Sequence, residues 1–226
     1  MNSKRYKALP QETKKLKHDT IENLLTTVKK NCTTKFDESI DVSFNLNLKL
    51  KKEEVSLRTS VNLPNGNGKK LKVAVLCEDS KISEAKDAGA DLTDSESLIN
   101  DITAGKINFN KLVATPAMMP KMGKLGKILG PKGLMPNPKL GTVTNNVKSI
   151  VKALKSGQIE IKNDEDGNVG ASIGKKSFSD TKIKENFNAL LETILKEKPN
   201  GIKGNFILSA FLTSTMGVSY KLKLGK

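Results

Sequence analysis

The sequence predicts an α/β segment set between two α+β segments that fold together as one domain. Three observations predict it. Strand patterns at both chain ends alternate apolar and polar residues, as in a sheet with one wet face. Strand patterns in the middle are almost wholly apolar and alternate with helices, as in parallel β-α units. Turn-rich composition at Leu63-Pro-Asn-Gly-Asn-Gly-Lys-Lys70, and a glycine at Gly157, separate the two styles. The expected domains are residues 1–66 with 157–226, and an inserted domain over 67–156.

Taken in order, residues 1–11 are basic and irregular. Leu16, Ile21, Leu24, Leu25 and Val28 recur at helical spacing and predict an amphipathic helix over 11–31. From Ile40 to Leu50 every second residue is apolar, which predicts a half-buried strand. Residues 52–62 supply a second strand. Leu71 to Cys77 reads as a strand buried on both faces, 80–104 as two short helices, and Phe109 to Thr115 as another buried strand. Gly123 to Gly141 holds five glycines, three prolines and four lysines with no acid, and reads as a lysine-rich loop. A helix over 147–156 follows. Ile159 and Ile161 open a hairpin that turns at 163–168 and returns through Val169 to Ile173. Ser179 or Asp180 caps a helix that runs to about Lys198, with Ile183, Phe187, Leu190, Leu191 and Ile194 as its core stripe. Two last strands, near 204–213 and 218–224, meet around Ser214-Thr-Met-Gly217.

The charge balance narrows the partner. The 226 residues carry a formal net charge of +15. Such an excess favours a polyanion, most often nucleic acid. Between Gly105 and Ser156 there are ten lysines and no acid, so the inserted segment is strongly dipolar. No apolar run approaches the roughly 18 residues of a membrane span. The N-terminus lacks a signal-peptide core, which places the chain in the cytoplasm. Cys32 and Cys77 have no CxxC partner and read as buried thiols.

Catalysis finds little support. The single histidine, His18, sits among lysines on a predicted helix. No nucleophile elbow or metal-ligand spacing occurs, so neither cofactor nor metal is expected. Gly170-Ala-Ser-Ile-Gly-Lys-Lys-Ser177 imitates a phosphate loop, but three residues separate its glycines where four are needed. Asn163 to Asn168 is too short for a calcium loop.

RNA contact fits better. Lys35-Phe-Asp-Glu-Ser39 opens the alternating strand; on sequence alone Phe36 reads first as a core anchor and second as a stacking face. Thr213-Ser-Thr-Met-Gly217 offers small polar groups suited to ribose and phosphate, or a plain β-turn. Gly174-Lys-Lys-Ser-Phe178 adds charge at a strand end. The aligned aromatics of a single-strand reader are missing, so shape recognition of folded RNA is the expected mode.

The segment Gly-Lys-Leu-Gly-Lys-Ile-Leu-Gly-Pro-Lys-Gly-Leu-Met-Pro-Asn-Pro-Lys at 123–139 resembles the signature of the ribosomal protein L-one family. Ala114-Thr-Pro116 with Met118-Met119, Lys35-Phe-Asp-Glu38, Gly174-Lys175, Ser177-Phe178, Thr215-Met-Gly217 and Lys4-Arg-Tyr-Lys7 extend the resemblance over the chain. It implies an α+β domain one from both chain ends and a Rossmann-like, three-layer domain two between them. It further implies a non-enzymatic constituent of the large ribosomal subunit that binds a mobile rRNA stalk, assists release of deacylated tRNA from the exit site, and represses its own operon mRNA. The family's contact positions match Lys35, Phe36, Glu38, Ser39, Lys175, Ser209, Thr215, Met216 and Gly217. Lys124, Lys127 and Lys132 are candidates for a secondary contact with RNA or tRNA. The free protein is expected to be a monomer. Gly170 stands where the family often has His, and Ala117 where it usually has Asp. A stand-alone translational repressor or RNA chaperone, not resident on ribosomes, is the alternative.

Overall fold

The computed structural model describes residues 5–6, 9, 20–48, 57–199, 202 and 204–223. In chain order the elements are α1 (Ile21–Lys30), β1 (Ser39–Leu46), β2 (Arg58–Asn62), β3 (Val73–Leu76), α2 (Ile82–Asp87), α3 (Ser95–Thr103), β4 (Lys111–Ala114), α4 (Met119–Met122) and α5 (Gly126–Leu129). Then follow α6 (Val147–Ser156), β5 (Gln158–Lys162), β6 (Asn168–Lys175), α7 (Asp180–Lys196), β7 (Ile207–Ser214) and β8 (Tyr220–Leu222). Residues 11–19, with His18, and 49–56 lie outside the described set; of the helix expected over 11–31, the described part begins at Ile21, after Thr20 in extended conformation, and ends at Lys30. The chain divides into two compact units, Met1–Gly68 with Ile159–Lys226, and Lys69–Gln158.

In the first unit a four-stranded sheet runs in the order β6-β1-β7-β8, and a separate pair joins β2 to β5. β1 is antiparallel to both its neighbours. Its alternation decides which face is buried: Ile40, Val42, Phe44 and Leu46 point inward, while Asp41, Ser43 and Asn45 do not. The inward face meets Leu24, Leu25 and Val28 of α1 and Ile183, Phe187, Leu190 and Ile194 of α7. The Phe44 and Phe187 rings stack with centroids 6.0 Å apart. The other face carries mostly small polar residues in register, with Gly170 and Phe211 among them. Asp41 lies between Ser172 and Thr213, Ser43 between Gly170 and Phe211, and Asn45 between Asn168 and Ser209.

Asn186 of α7 is fully buried with its amide in use. It accepts from the Asn65 backbone N–H at 3.1 Å and donates to the carbonyls of Gly66 and Ile173 at 2.8 Å each. The Pro-Asn-Gly turn, read from composition as hinge-like, is thereby fixed to α7 and β6 up to Gly66.

In the second unit β3 and β4 are parallel, with Val73 opposite Lys111 and Leu76 opposite Ala114. Parallel bridges from Ala74 to Leu92 and from Ala114 to Val143 widen this sheet on both sides. One face, with Ala74, Leu76, Leu112 and Ala114, packs on α3 and on Met122, Leu125 and Leu129. The opposite face, with Val73, Val75, Cys77 and Val113, packs on α2 and α6. Strands covered on both sides need apolar residues at every position, which is why their pattern does not alternate.

The lysine-rich stretch differs from the expected loop. Residues 116–129 form consecutive short helical turns, and a further turn spans Pro138–Leu140. Met118, Met122, Leu125 and Leu129 recur at helical spacing and are buried. Their glycine neighbours disguise that period in the sequence. Both cysteines are free and buried, as expected, and burial pushes both thiols above their usual pKa.

Candidate nucleic-acid interface

The antiparallel topology gathers chain segments far apart in sequence. The start of β1 lies beside the ends of β6 and β7, with Ser39 opposite Lys175 and Ile40 opposite Ser214. Loops 31–38, 174–178 and 214–217 therefore meet at one end of the four-stranded sheet.

Glu38 ties them together. It is buried, with none of its surface accessible. One carboxylate oxygen accepts from the Thr34 hydroxyl at 2.7 Å and from the Thr34 N–H at 3.3 Å. The other accepts from the Met216 N–H at 3.2 Å. The Glu38 carbonyl accepts from the Lys176 N–H at 2.8 Å. Burial alone would raise the carboxyl pKa. Hydrogen bonds from the Thr34 and Ser214 hydroxyls and the Met216 and Thr34 amides outweigh it and hold the group below its usual value.

Other bonds lock the same loops. Ser39 N–H donates to the Thr215 hydroxyl at 2.9 Å, and the Thr215 N–H donates to the Ser39 carbonyl at 3.0 Å. Asp37 accepts from the Ser177 N–H and hydroxyl at 3.1 and 2.8 Å. Lys176 Nζ donates to the Cys32 carbonyl at 2.8 Å. Arg5 donates from one Nη to Thr33 Oγ1 at 2.9 Å and from the other to the Met216 carbonyl at 2.5 Å. Gly217 closes the turn, and a Cβ there would lie 2.2 Å from Ser214 Oγ.

On this braced frame two large apolar side chains stand out to solvent. Phe36 is 52% exposed and Met216 49%. Phe36 is therefore not the core anchor first read from the sequence: β1 begins only at Ser39, so Phe36 lies ahead of the inward-facing alternation. Lys35 and Thr215 are exposed, and Ser39, Lys175 and Gly217 are partly so. Lysine ammonium groups, an open aromatic face and a flexible thioether on a rigid backbone suit a folded polyanion bearing exposed bases or riboses.

Of the positions singled out from sequence, Lys35, Phe36, Glu38, Ser39, Lys175, Thr215, Met216 and Gly217 come together. Glu38 and the Thr215 hydroxyl turn inward and brace the loops. Ser209 stands apart, paired with Asn45 on the polar sheet face, five residues or about 17 Å along β7 from Ser214. Lys124, Lys127 and Lys132 belong to the other unit, where all three are exposed. Sequence reasoning missed Arg5, Thr33, Thr34 and the Asp37–Ser177 bonds. Arg5 entered the sequence reading only within Lys4-Arg-Tyr-Lys7, a segment of the family resemblance, with no role attached to it.

The phosphate-loop imitation at 170–177 resolves with both its glycines inside strand β6, not in the loop that opens a helix N-terminus, as a phosphate loop needs. Among the described residues no group of His, Cys, Asp and Glu is arranged to hold a metal ion, and no helix is long and apolar enough to cross a membrane.

Comparison with known proteins agrees with this picture. The sequence model of the Ribosomal protein L1p/L10e family matches residues 28–218. The large ribosomal subunit protein uL1 of Pelagibacter ubique is 63% identical over 227 residues, covering 100% of this chain and 99% of that protein. The proteins of the same name from Rickettsia canadensis and Rickettsia peacockii are each 44% identical over 221 residues, covering 96% of this chain and 92% of theirs. The chain belongs to the Ribosomal protein L1p/L10e family, whose members are structural, non-enzymatic proteins.

Proposed function

We propose that this protein is a structural constituent of the large ribosomal subunit that binds a folded, mobile stalk of its rRNA. Binding is through the sheet end built by loops 31–38, 174–178 and 214–217. The observation that carries the reading is the exposure of Phe36 and Met216 on a frame fixed by a buried, fully bonded Glu38. Exposed apolar side chains on so rigid a frame point to a partner surface, and the net charge of +15 points to a polyanion.

In this reading the unit formed by both chain ends is the principal RNA-binding domain. The unit over 69–158 is an inserted domain whose Lys124, Lys127 and Lys132 make a secondary contact with the stalk or a passing tRNA. The protein assists release of deacylated tRNA from the exit site. It also represses its own operon by binding an mRNA structure that imitates the rRNA site. It acts in the cytoplasm on the ribosome and is a monomer when free.

Footprinting the purified protein on total rRNA tests the reading. One compact protected region in large-subunit rRNA is expected, together with co-sedimentation with the large subunit at high salt. Diffuse protection with loss from the subunit at high salt would favour a non-resident RNA-binding protein instead.

A further inference from the structure

We propose that Arg5 is a positioning residue for RNA binding, whose guanidinium clamps the loop before β1 to the turn after β7. The proposal rests on the reading of that sheet end as the RNA interface. All other basic side chains are lysines, apart from Arg58. A lysine offers one hydrated point charge on a flexible stem, whereas an arginine offers a rigid planar fork.

Both arginines use the fork. Arg58 reaches one Glu160 oxygen through Nε at 2.9 Å and through Nη2 at 2.8 Å, joining β2 to β5. Arg5 divides its fork between two separate segments. One Nη holds Thr33 Oγ1 at 2.9 Å and the other holds the Met216 carbonyl at 2.5 Å. These acceptors lie three residues before Phe36 and on Met216 itself, so the clamp fixes the separation of the two exposed apolar contacts. An ammonium would have to reach both acceptors from one nitrogen, without the two separated, coplanar donors of the guanidinium.

Both acceptors are neutral, so the Arg5 charge is not cancelled by them and adds to the field of Lys35 and Lys175. Glu38 fixes the same turn from inside through the Met216 N–H. The peptide groups on the two sides of Met216 are therefore held from opposite directions, by an anion within and a cation without.

The test separates fork from charge. Arg5→Lys keeps the charge and removes the fork. In filter binding to large-subunit rRNA, we expect about a tenfold loss of affinity with an unchanged dependence on salt. Thr33→Val should lose part of the same tenfold, and the double variant should bind no worse than Arg5→Lys alone, because the two side chains share one bond. Hydrogen exchange at the Met216 and Gly217 amides should quicken in Arg5→Lys. Arg58→Lys, whose partner is on β5, should bind RNA as the wild type does.

Wild-type affinity in Arg5→Lys would overturn the clamp, because charge alone would then suffice. So would losses from Arg5→Lys and Thr33→Val that add in full. A wild-type protein that does not bind large-subunit rRNA would overturn the reading of the interface itself, and the clamp with it.

Discussion

Glu38 brings a negative charge to a surface proposed to meet a polyanion, and its bonding explains how. The carboxylate is turned inward and saturated by donors from Thr34 and Met216. Its depressed pKa sets the sign of the pH effect. A group held below its unfolded value contributes its stability fully above that value, 4.5 for this carboxyl, and loses it as pH falls through the lower folded pKa. Thermal melts should therefore show a loss of stability below pH 4.5 that is smaller in Glu38→Gln. Identical acid limbs for the two proteins would remove Glu38 from the account. At neutral pH, Glu38→Ala should cost about 2–4 kcal/mol in a urea melt, since it leaves half-buried donors without an acceptor and empties the buried carboxylate site. Gly217→Val should cost rRNA affinity together with stability, because its Cβ displaces the hydroxyl of buried Ser214, one of the donors to Glu38. A melting temperature that falls while affinity holds would contradict this. The sequence made Glu38 legible as part of the site but not as its brace. Its partner Met216 lies 178 residues away, and only the strand register brings them together.

Among the elements, β1 organises the first unit. Its strict alternation was readable because one face is dry and the other wet, and the structure preserves that alternation from Ser39 to Leu46. Helix α6 was readable to the residue, because its buried Val147, Val151 and Leu154 have no glycine among them and Gly157 ends it. The stretch 116–129 was not. Glycine and proline argue for loop, while burial of Met122, Leu125 and Leu129 against the parallel sheet imposes helical turns; tertiary packing overrides propensity there. The role of Asn186 was also hidden, because an Asn within a helical stripe gives no sign that it faces a turn 120 residues away. Asn186→Leu should destabilise the protein by about 2–4 kcal/mol by urea denaturation, since it strands three buried or half-buried backbone groups. A loss under about 0.5 kcal/mol would show that water satisfies them equally well.

For the whole molecule, charge and shape contribute differently. Phosphate neutralisation makes affinity fall with salt, whereas contacts by Phe36 and Met216 are nearly indifferent to it. Replacing Lys124, Lys127 and Lys132 together by Gln should flatten the plot of log affinity against log salt by up to about three units. An unchanged slope would leave that stretch a purely structural part of its unit. The central claim is that two braced loops, each with one exposed apolar side chain, Phe36 and Met216, rather than diffuse charge, select the RNA. Its most direct test is the affinity of the footprinted rRNA fragment for Met216→Asp beside that for Lys35→Gln, at one salt concentration. The account predicts a loss of about thirtyfold or more for the turn variant and only a few-fold for the lysine variant. Near-equal losses would contradict it.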